Sequence, residues 1–180
     1  PFGFMPFYPG PGLGGHCIPI DPLYLSWKLK TMDYNVRFIE LATTINASMP
    51  HYVVEKITEV LNEVERSVKG SRILVLGVAY KRDVNDTRES PGRDILGLLH
   101  KKGAHVAYAD PHVPRLEMLG ETIEAYDLDN GVTDFDLVVI VTDHSRFDYS
   151  RLLREARLVF DTRNATAGCD VPETCKVVKL

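Results

Sequence analysis

Between residues 71 and 180 the chain alternates short apolar runs with polar or amphipathic stretches, and that alternation leaves few folds open. RILVLG, AHVAYAD, DFDLVVIVTD and ARLVFDT read as buried strands. Between the first two, SPGRDILGLLHKKG has Ser90 and Pro91 as cap and first helical residue and Gly103 as its stop. This stretch is predicted as a helix, and the three segments together as a βαβ unit. Tyr149 to Ala156 is predicted as a short helix and the final VVKL as an edge strand. The pattern predicts an α/β fold, a doubly wound, mostly parallel, Rossmann-like sheet over residues 71–180. Ligands of such a sheet bind beyond the carboxyl ends of its strands.

Residues 1–70 follow a different grammar. Residues 1–21, with the run PGPGLGGHCIPIDP, have neither helical nor strand period and read as a structured loop whose glycines bring backbone close to something. Asp21 followed by Pro22 has the form of an N-cap and a first helical residue, with Leu23 to Lys30 starting the helix. A second helical pattern runs from Val36 to about Asn46, with Phe38, Ile39, Ala42 and Ile45 on one face. Ser48 and Pro50 open a third, which carries Val53, Ile57, Val60 and Val64 in one stripe and stops near Gly70. This all-helical segment has too little core to stand alone, so its apolar faces are expected to bury against another domain or another chain. The expected division is 1–70, loop and helices, and 71–180, the sheet.

With 21 Lys and Arg against 25 Asp and Glu, the formal net charge is −4, which argues against a broad nucleic-acid or anionic-membrane surface. The longest strictly apolar run, Leu137 to Val141, is far short of a membrane span. Pro1 opens a Pro/Gly/aromatic stretch in place of a secretory leader, and a first residue other than Met points to a fragment or a trimmed chain. Cys17, Cys169 and Cys175 are too few and too irregularly placed for a disulfide framework or a zinc ribbon. The expectation is a reducing cytoplasm and no metal.

Among residues able to do chemistry, Cys17 comes first. It ends the Gly-rich loop four residues before the expected helix start, where free N–H groups and the helix dipole favour a thiolate, and His16 adds positive charge. The alternative is a buried, inert cysteine. Asp21 reads as an N-cap, as a carboxylate one turn from the thiol, or as both. His16 beside Cys17 has the composition of a Cys–His pair, although adjacent loop residues usually point apart. The segment Gly77 to Glu89, GVAYKRDVNDTRE, lies at the carboxyl end of the first strand. It carries Lys81, Arg82 and Arg88 near a helix N-terminus, which suits a phosphate or pyrophosphate as well as a merely solvated loop. It is not the dinucleotide fingerprint, because GxGxxG is absent. Arg163, Asp110, Asp143 and His144 all follow strands, with Asp110 reading equally as a ribose acid and as a turn residue. Cys169 and Cys175 read as loop or packing residues.

The segments FYPGPGLGGHCIPIDPLYL and GVAYKRDVNDTRESPGRDIL, with FDTRN as a weaker third match, resemble in that order the C-terminal part of the UDP-glucose/GDP-mannose 6-dehydrogenase family. HCIPIDP, followed by TMDYNVRFIELATTINASMP, is most similar to the branch acting on UDP-N-acetylglucosamine, with the UDP-N-acetylmannosamine and UDP-glucose branches close behind. The resemblance implies oxidation of a sugar C6 hydroxyl to a carboxylate with NAD, through a thiohemiacetal and a thioester. Cys17 matches the family nucleophile and Asp21 the acid that positions water. Tyr8, Gly10, Gly12 and Gly14 match the backbone stretch along the sugar nucleotide, Lys81 and Arg163 match substrate contacts, and Arg88 matches an arginine that reaches NAD. A UDP-sugar substrate and a homodimer or higher oligomer through the central helices are implied, with no nucleic acid and no membrane. The family places a GxGxxG domain, with a catalytic lysine and asparagine, before the cysteine loop, and these 180 residues lack it. The chain by itself is therefore expected neither to hold NAD productively nor to turn over. The competing expectations are a non-catalytic nucleotide-sugar-binding or dimerisation module, and a thiol enzyme built on Cys17 and His16.

Overall fold

Ile73, Leu74, Val75 and Leu76 are all fully buried, and a strand with no polar alternation needs cover on both faces of its sheet. The computed structural model, which describes residues 3, 6–118 and 120–180, supplies that cover. The elements run α1 (Cys17–Lys30), α2 (Arg37–Asn62), β1 (Arg72–Leu76), α3 (Pro91–Lys101), β2 (His105–Ala109), β3 (Arg115–Met118), β4 (Glu121–Glu124), β5 (Leu137–Ile140), α4 (Tyr149–Glu155), β6 (Leu158–Asp161) and β7 (Lys176–Lys179). Five strands form one sheet in the order β2-β1-β5-β6-β7, every pair parallel. The expected α/β fold with a parallel sheet is present, and β7 lies at its edge as read.

The pleat divides the core. Ile73, Val75, Leu137, Val139 and Phe160 pack with Val53, Ile57 and Leu61 of α2 and Ile95 and Leu99 of α3. Leu74, Leu76, Val138, Ile140 and Val159 face the other way, onto Leu152 and Leu153 of α4. Each fully buried Val, Leu or Ile is stabilising by about 1.5–3 kcal/mol, so the buried Val53, Val54, Ile57, Val60 and Leu61 hold the second half of α2 in the core. The first half of α2 is not held in this way, since Phe38, Leu41 and Ile45 remain exposed.

Four points of the sequence reading change. Asp21 does not cap a helix: α1 begins at Cys17, with His16 in the capping position, and Asp21 and Pro22 lie inside it. Gly15, at φ +84, ends the loop and sets the helix start earlier. Nor do Ser48 and Pro50 open a separate helix, because α2 is continuous from Arg37 to Asn62 with Pro50 buried in its middle. A proline there forfeits one backbone hydrogen bond, and the burial of Val53, Val54, Ile57, Val60 and Leu61 outweighs that loss. Val64, placed in the same stripe from sequence, lies beyond the helix and is exposed. Finally, β3 and β4 form an antiparallel pair where no element was expected.

The βαβ unit is as read: Ser90 caps α3 by accepting from the Gly92 amide at 3.2 Å, Pro91 is the first helical residue, and Gly103 follows the end at φ +85. All three cysteines are free thiols, Cys17 exposed and Cys175 buried. Among the described residues no helix is long and apolar enough to cross a membrane.

Candidate functional site

From β1 the chain moves to β2 on one side and later returns to β5 on the other, so the strand order reverses between β1 and β5. Crevices beyond the carboxyl ends at such a point are where open α/β sheets bind ligands. Here the crevice is lined by residues from four segments: Pro11 and Gly12, Tyr80 and Lys81 with Pro91, Val141 and Thr142, and Arg163. Gly12, Lys81 and Arg163 therefore line one crevice.

The cysteine loop reaches this edge because its glycines leave no side chains in the way. A Cβ on Gly14 would meet the Tyr80 Cβ at 2.9 Å, and one on Gly15 would meet the Tyr80 ring at 2.7 Å. A Cβ on Gly10 would lie 2.6 Å from Arg163 Nη1. In that close approach the Gly15 amide donates to the Arg88 carbonyl at 3.1 Å, joining the cysteine loop to the β1–α3 loop. From the helical side, the Leu13 amide donates to Asn46 Oδ1 at 2.6 Å, and Asn46 Nδ2 donates to the Leu13 carbonyl at 3.0 Å.

Cys17 stands exposed as the first residue of α1, and His16 makes no side-chain cap. The first amides of α1 have no partner within the helix, and the dipole of its N-terminus favours negative charge nearby. Asp21 is four residues on, hence one turn away on the same face. Arg88 lies nearby, its guanidinium gripping Asp86 through Nε at 3.0 Å and Nη2 at 2.6 Å. That grip holds the Asp86 carboxyl down at about 2, with a smaller contribution from His16 across the loop contact. Arg88 is itself raised, first by Asp86 and to a lesser degree by Tyr80 and Cys17. Tyr8 is 79% exposed and Asp21 is also exposed, and neither lines the crevice.

Arg163 is presented by a built turn. Asp161, buried at the end of β6, accepts from the amides of Arg163 and Ala165 through Oδ1 and from the Thr166 amide and hydroxyl through Oδ2. Asp143 then lies between two arginines, paired with Arg82 and 3.6 Å from Arg163 Nε. Lys81 extends over the Tyr80 ring, with Nζ 5.7 Å from its centre. The edge thus offers several guanidinium and ammonium groups of which Lys81 has no carboxylate partner among the described contacts, the charge pattern of an anion site.

The profile of the UDP binding domain of the UDP-glucose/GDP-mannose dehydrogenase family matches residues 74–168, and that of the family's central domain matches residues 1–48. The chain belongs to this family. It is 35% identical over 164 residues to UDP-N-acetyl-D-mannosamine dehydrogenase of Methanococcus maripaludis, covering 87% of this chain and 36% of that protein. It is 34% identical over 163 residues to UDP-glucose 6-dehydrogenase TuaD of Bacillus subtilis, covering 86% and 34%. Among solved structures, UDP-D-ManNAc dehydrogenase of Pyrococcus horikoshii superposes with a TM-score of 0.79 at 27% identity, covering 99% of this chain and 41% of that one. The chain spans little more than a third of the length of the relatives it matches.

Within the family frame, Asp110 needs a different reading from a ribose acid. Its buried carboxylate accepts from the Val78 and Ala79 amides at 2.8 and 3.1 Å through Oδ2 and from the His112 amide at 2.9 Å through Oδ1. His144 Nε2 is 3.0 Å from the same Oδ2. With its oxygens turned into the fold, Asp110 is closed to a ligand. Gly77, at φ +83, is likewise backed by Thr142, whose Cα would lie 2.8 Å from an added Cβ. Neither position therefore offers room to the NAD that the family's chemistry implies.

Sequence reading passed over Asn46, Tyr80 and Asp161, which position the crevice residues. For Asp161 a signal was present, since Asp followed by Thr, Arg and Asn is the composition of an Asx turn. For Asn46 there was none, because a mid-helix asparagine says nothing of a loop 33 residues away.

Proposed function

We propose that this chain is the C-terminal portion of an NAD-dependent UDP-N-acetylhexosamine 6-dehydrogenase, acting on UDP-N-acetylglucosamine. The observation that carries the reading is the seating of the Cys17 loop on the β1–α3 loop, through the Gly15 amide and Arg88 carbonyl, beside the crevice that holds Lys81 and Arg163. Lys81 and Arg163 bind the UDP phosphates, and the backbone of residues 8–14, including Tyr8, Gly10, Gly12 and Gly14, runs along the sugar nucleotide. The Cys17 thiolate attacks the aldehyde carbon at C6, forming the S–C bond that keeps the intermediate on the protein. Asp21, one turn along α1, orients the water that cleaves the thioester to the carboxylate. NAD, when bound to the whole enzyme, would take the two hydrides that convert the C6 alcohol to the aldehyde and the Cys17 thiohemiacetal to the thioester, and Arg88 is assigned toward it. The N-acetyl class is supported by the N-acetylhexosamine named for the Methanococcus relative. The choice of glucosamine rests on HCIPIDP and the residues after it.

The proposal divides the chain at 70/71 into a catalytic-loop and helical region and a UDP-sugar-binding region. It places the enzyme in the cytoplasm as a homodimer or higher homo-oligomer through the central helices. The exposed Leu23, Tyr24, Trp27, Phe38 and Leu41 support that contact.

The test uses the full-length enzyme with UDP-N-acetylglucosamine, UDP-N-acetylmannosamine and UDP-glucose in separate assays of carboxylate formation. The highest kcat/KM is expected for the first, and a higher value for either of the others refutes the sugar assignment. Cys17→Ser is expected to keep sugar-nucleotide binding by calorimetry and to lose carboxylate product. Undiminished turnover in that variant would remove Cys17 from the chemistry.

A further inference from the structure

Behind the crevice three side chains far apart in sequence converge. Asp83 of the β1–α3 loop, His112 after β2 and His144 after β5 each present a ligand atom, and the three atoms lie within 4.8 Å of one another. Asp83 Oδ1 is 3.6 Å from His112 Nε2 and 3.7 Å from His144 Nδ1. With zinc bonds of about 2.0–2.1 Å, neighbouring ligands of a tetrahedral ion are roughly 3.3 Å apart, so a contraction of a few tenths of an ångström brings Asp83 to each imidazole and the two imidazoles, within 4.8 Å, close the rest.

Two of the three ligands are already held from behind. His144, fully buried, has Nε2 3.0 Å from Asp110 Oδ2, the carboxylate–histidine pairing that orients a metal-binding imidazole so that its other nitrogen faces the ion. Asp110 is itself anchored by the amides of Val78, Ala79 and His112. Asp83 is oriented by Ser145, whose amide donates to Oδ1 at 2.9 Å and whose hydroxyl donates to Oδ2 at 2.7 Å. The remaining group is the informative one: among the described residues, His112 Nε2 is a buried side-chain nitrogen with no hydrogen-bond partner. Its 3.6 Å separation from Asp83 is too long for a hydrogen bond, and leaving a buried polar atom unpaired is costly.

We propose that Asp83, His112 and His144 form a binding site for a divalent transition-metal ion, zinc by its nitrogen and oxygen donor set. The ion takes the lone pair of His112 Nε2, and at His144 Nδ1 it replaces the Asp83 amide hydrogen that now lies 2.9 Å away. The Asp83 backbone, at φ +58, is the part that turns to allow this. A water completes the coordination. The ion ties the β1–α3 loop to the segments after β2 and β5. Arg82 and Asp143, the chain neighbours of two of its ligands, are paired with each other, and Asp143 also meets Arg163 of the crevice, so metal occupancy orders the anion-binding edge.

The probe is Co²⁺, added to the full chain carrying Cys17→Ser so that the exposed thiol does not compete. One equivalent is expected to bind with the intense visible bands of a tetrahedral site, and Zn²⁺ is expected to displace it. His112→Gln and Asp83→Asn, checked for folding by circular dichroism, are expected to weaken uptake on the order of 100-fold, at or above the loss caused by changing an outer-shell partner. X-ray absorption of the zinc-loaded chain is expected to show two imidazoles and no sulfur, a result that does not require either variant to fold. Absence of stoichiometric uptake, uptake unchanged in both folded variants, or a shell without two imidazoles overturns the site. None of these readouts involves a sugar nucleotide, so the site stands or falls separately from the proposed dehydrogenase activity.

Discussion

Asn46 holds Leu13 by both of its backbone groups, accepting from the amide at 2.6 Å and donating to the carbonyl at 3.0 Å. A residue in the middle of α2 thereby completes a strand-like pair for a loop that has no secondary structure of its own. Its backbone carbonyl, four residues before Pro50 and so without the usual helical donor, would lie 3.5 Å from a Cβ on Gly12. The cysteine loop is clamped between this helix and the β1–α3 loop.

Asn46→Ala is expected to release the clamp without disturbing the sheet. Two lost hydrogen bonds are worth about 1–3 kcal/mol, which corresponds to amide exchange at Leu13 and Gly15 faster by about 5- to 150-fold. Amides of β1 should keep their protection. Equal acceleration in β1 would show that the clamp supports the whole fold.

Gly14→Ala tests the close approach itself. The new methyl would meet the Glu89 carbonyl and, at 2.9 Å, the Tyr80 Cβ, and backbone on one side leaves little room to yield. A cost of about 1–3 kcal/mol is expected, in the range for overpacking. Carboxylate formation by the full-length enzyme should fall at least tenfold while UDP affinity changes less. Wild-type turnover would show that the loop need not seat on Tyr80.

Arg163→Ala is expected to weaken UDP binding by about 1–3 kcal/mol, the size of a lost charge-assisted hydrogen bond. Calorimetry of the full-length enzyme with UDP reads this directly. Affinity equal to wild type would mean that Arg163 serves only its 3.6 Å contact with Asp143.

Acid should act through Asp110. Burial pushes its carboxyl up, but the His144 hydrogen bond and the amides of His112 and Val78 together pull it below the ordinary value of 3.8. A depressed folded-state value contributes stability that is present above the unfolded value and lost as pH falls through the folded one. Stability to urea is therefore expected to decline below about pH 4. Asp110→Asn should flatten that decline and cost about 1–3 kcal/mol at neutral pH, because an amide nitrogen would face buried donors. An unchanged acid limb in the variant would assign the decline to other carboxylates.

Phe38 is 86% exposed on the part of α2 that the sheet does not cover. Phe38→Glu is expected to shift the full-length enzyme toward monomer in analytical ultracentrifugation with unchanged far-ultraviolet dichroism. Retention of the wild-type sedimentation coefficient would place the subunit contact elsewhere.

The alternation of apolar runs determined the parallel sheet, and local punctuation determined α3, since Ser90, Pro91 and Gly103 act within a turn of their own position. The glycine pattern likewise marked a loop that something approaches closely, and strand ends marked Lys81 and Arg163 as facing one crevice. Only the tertiary structure decided what depends on distant partners. Pro50 reads as a helix start and sits inside a helix, because the burial of Val53, Ile57 and Leu61 against the sheet outweighs one missing hydrogen bond. Asp110 reads equally as a ribose acid and as a turn residue, and it is the second that holds, because the His112 amide two residues on and amides 31 and 32 residues away take its oxygens. His144 meets Asp83 across 61 residues and Asp110 across 34. Periodicity and capping are set by neighbours along the chain, whereas which carboxylate meets which imidazole is set by the crossing of strands, and no local pattern encodes that crossing.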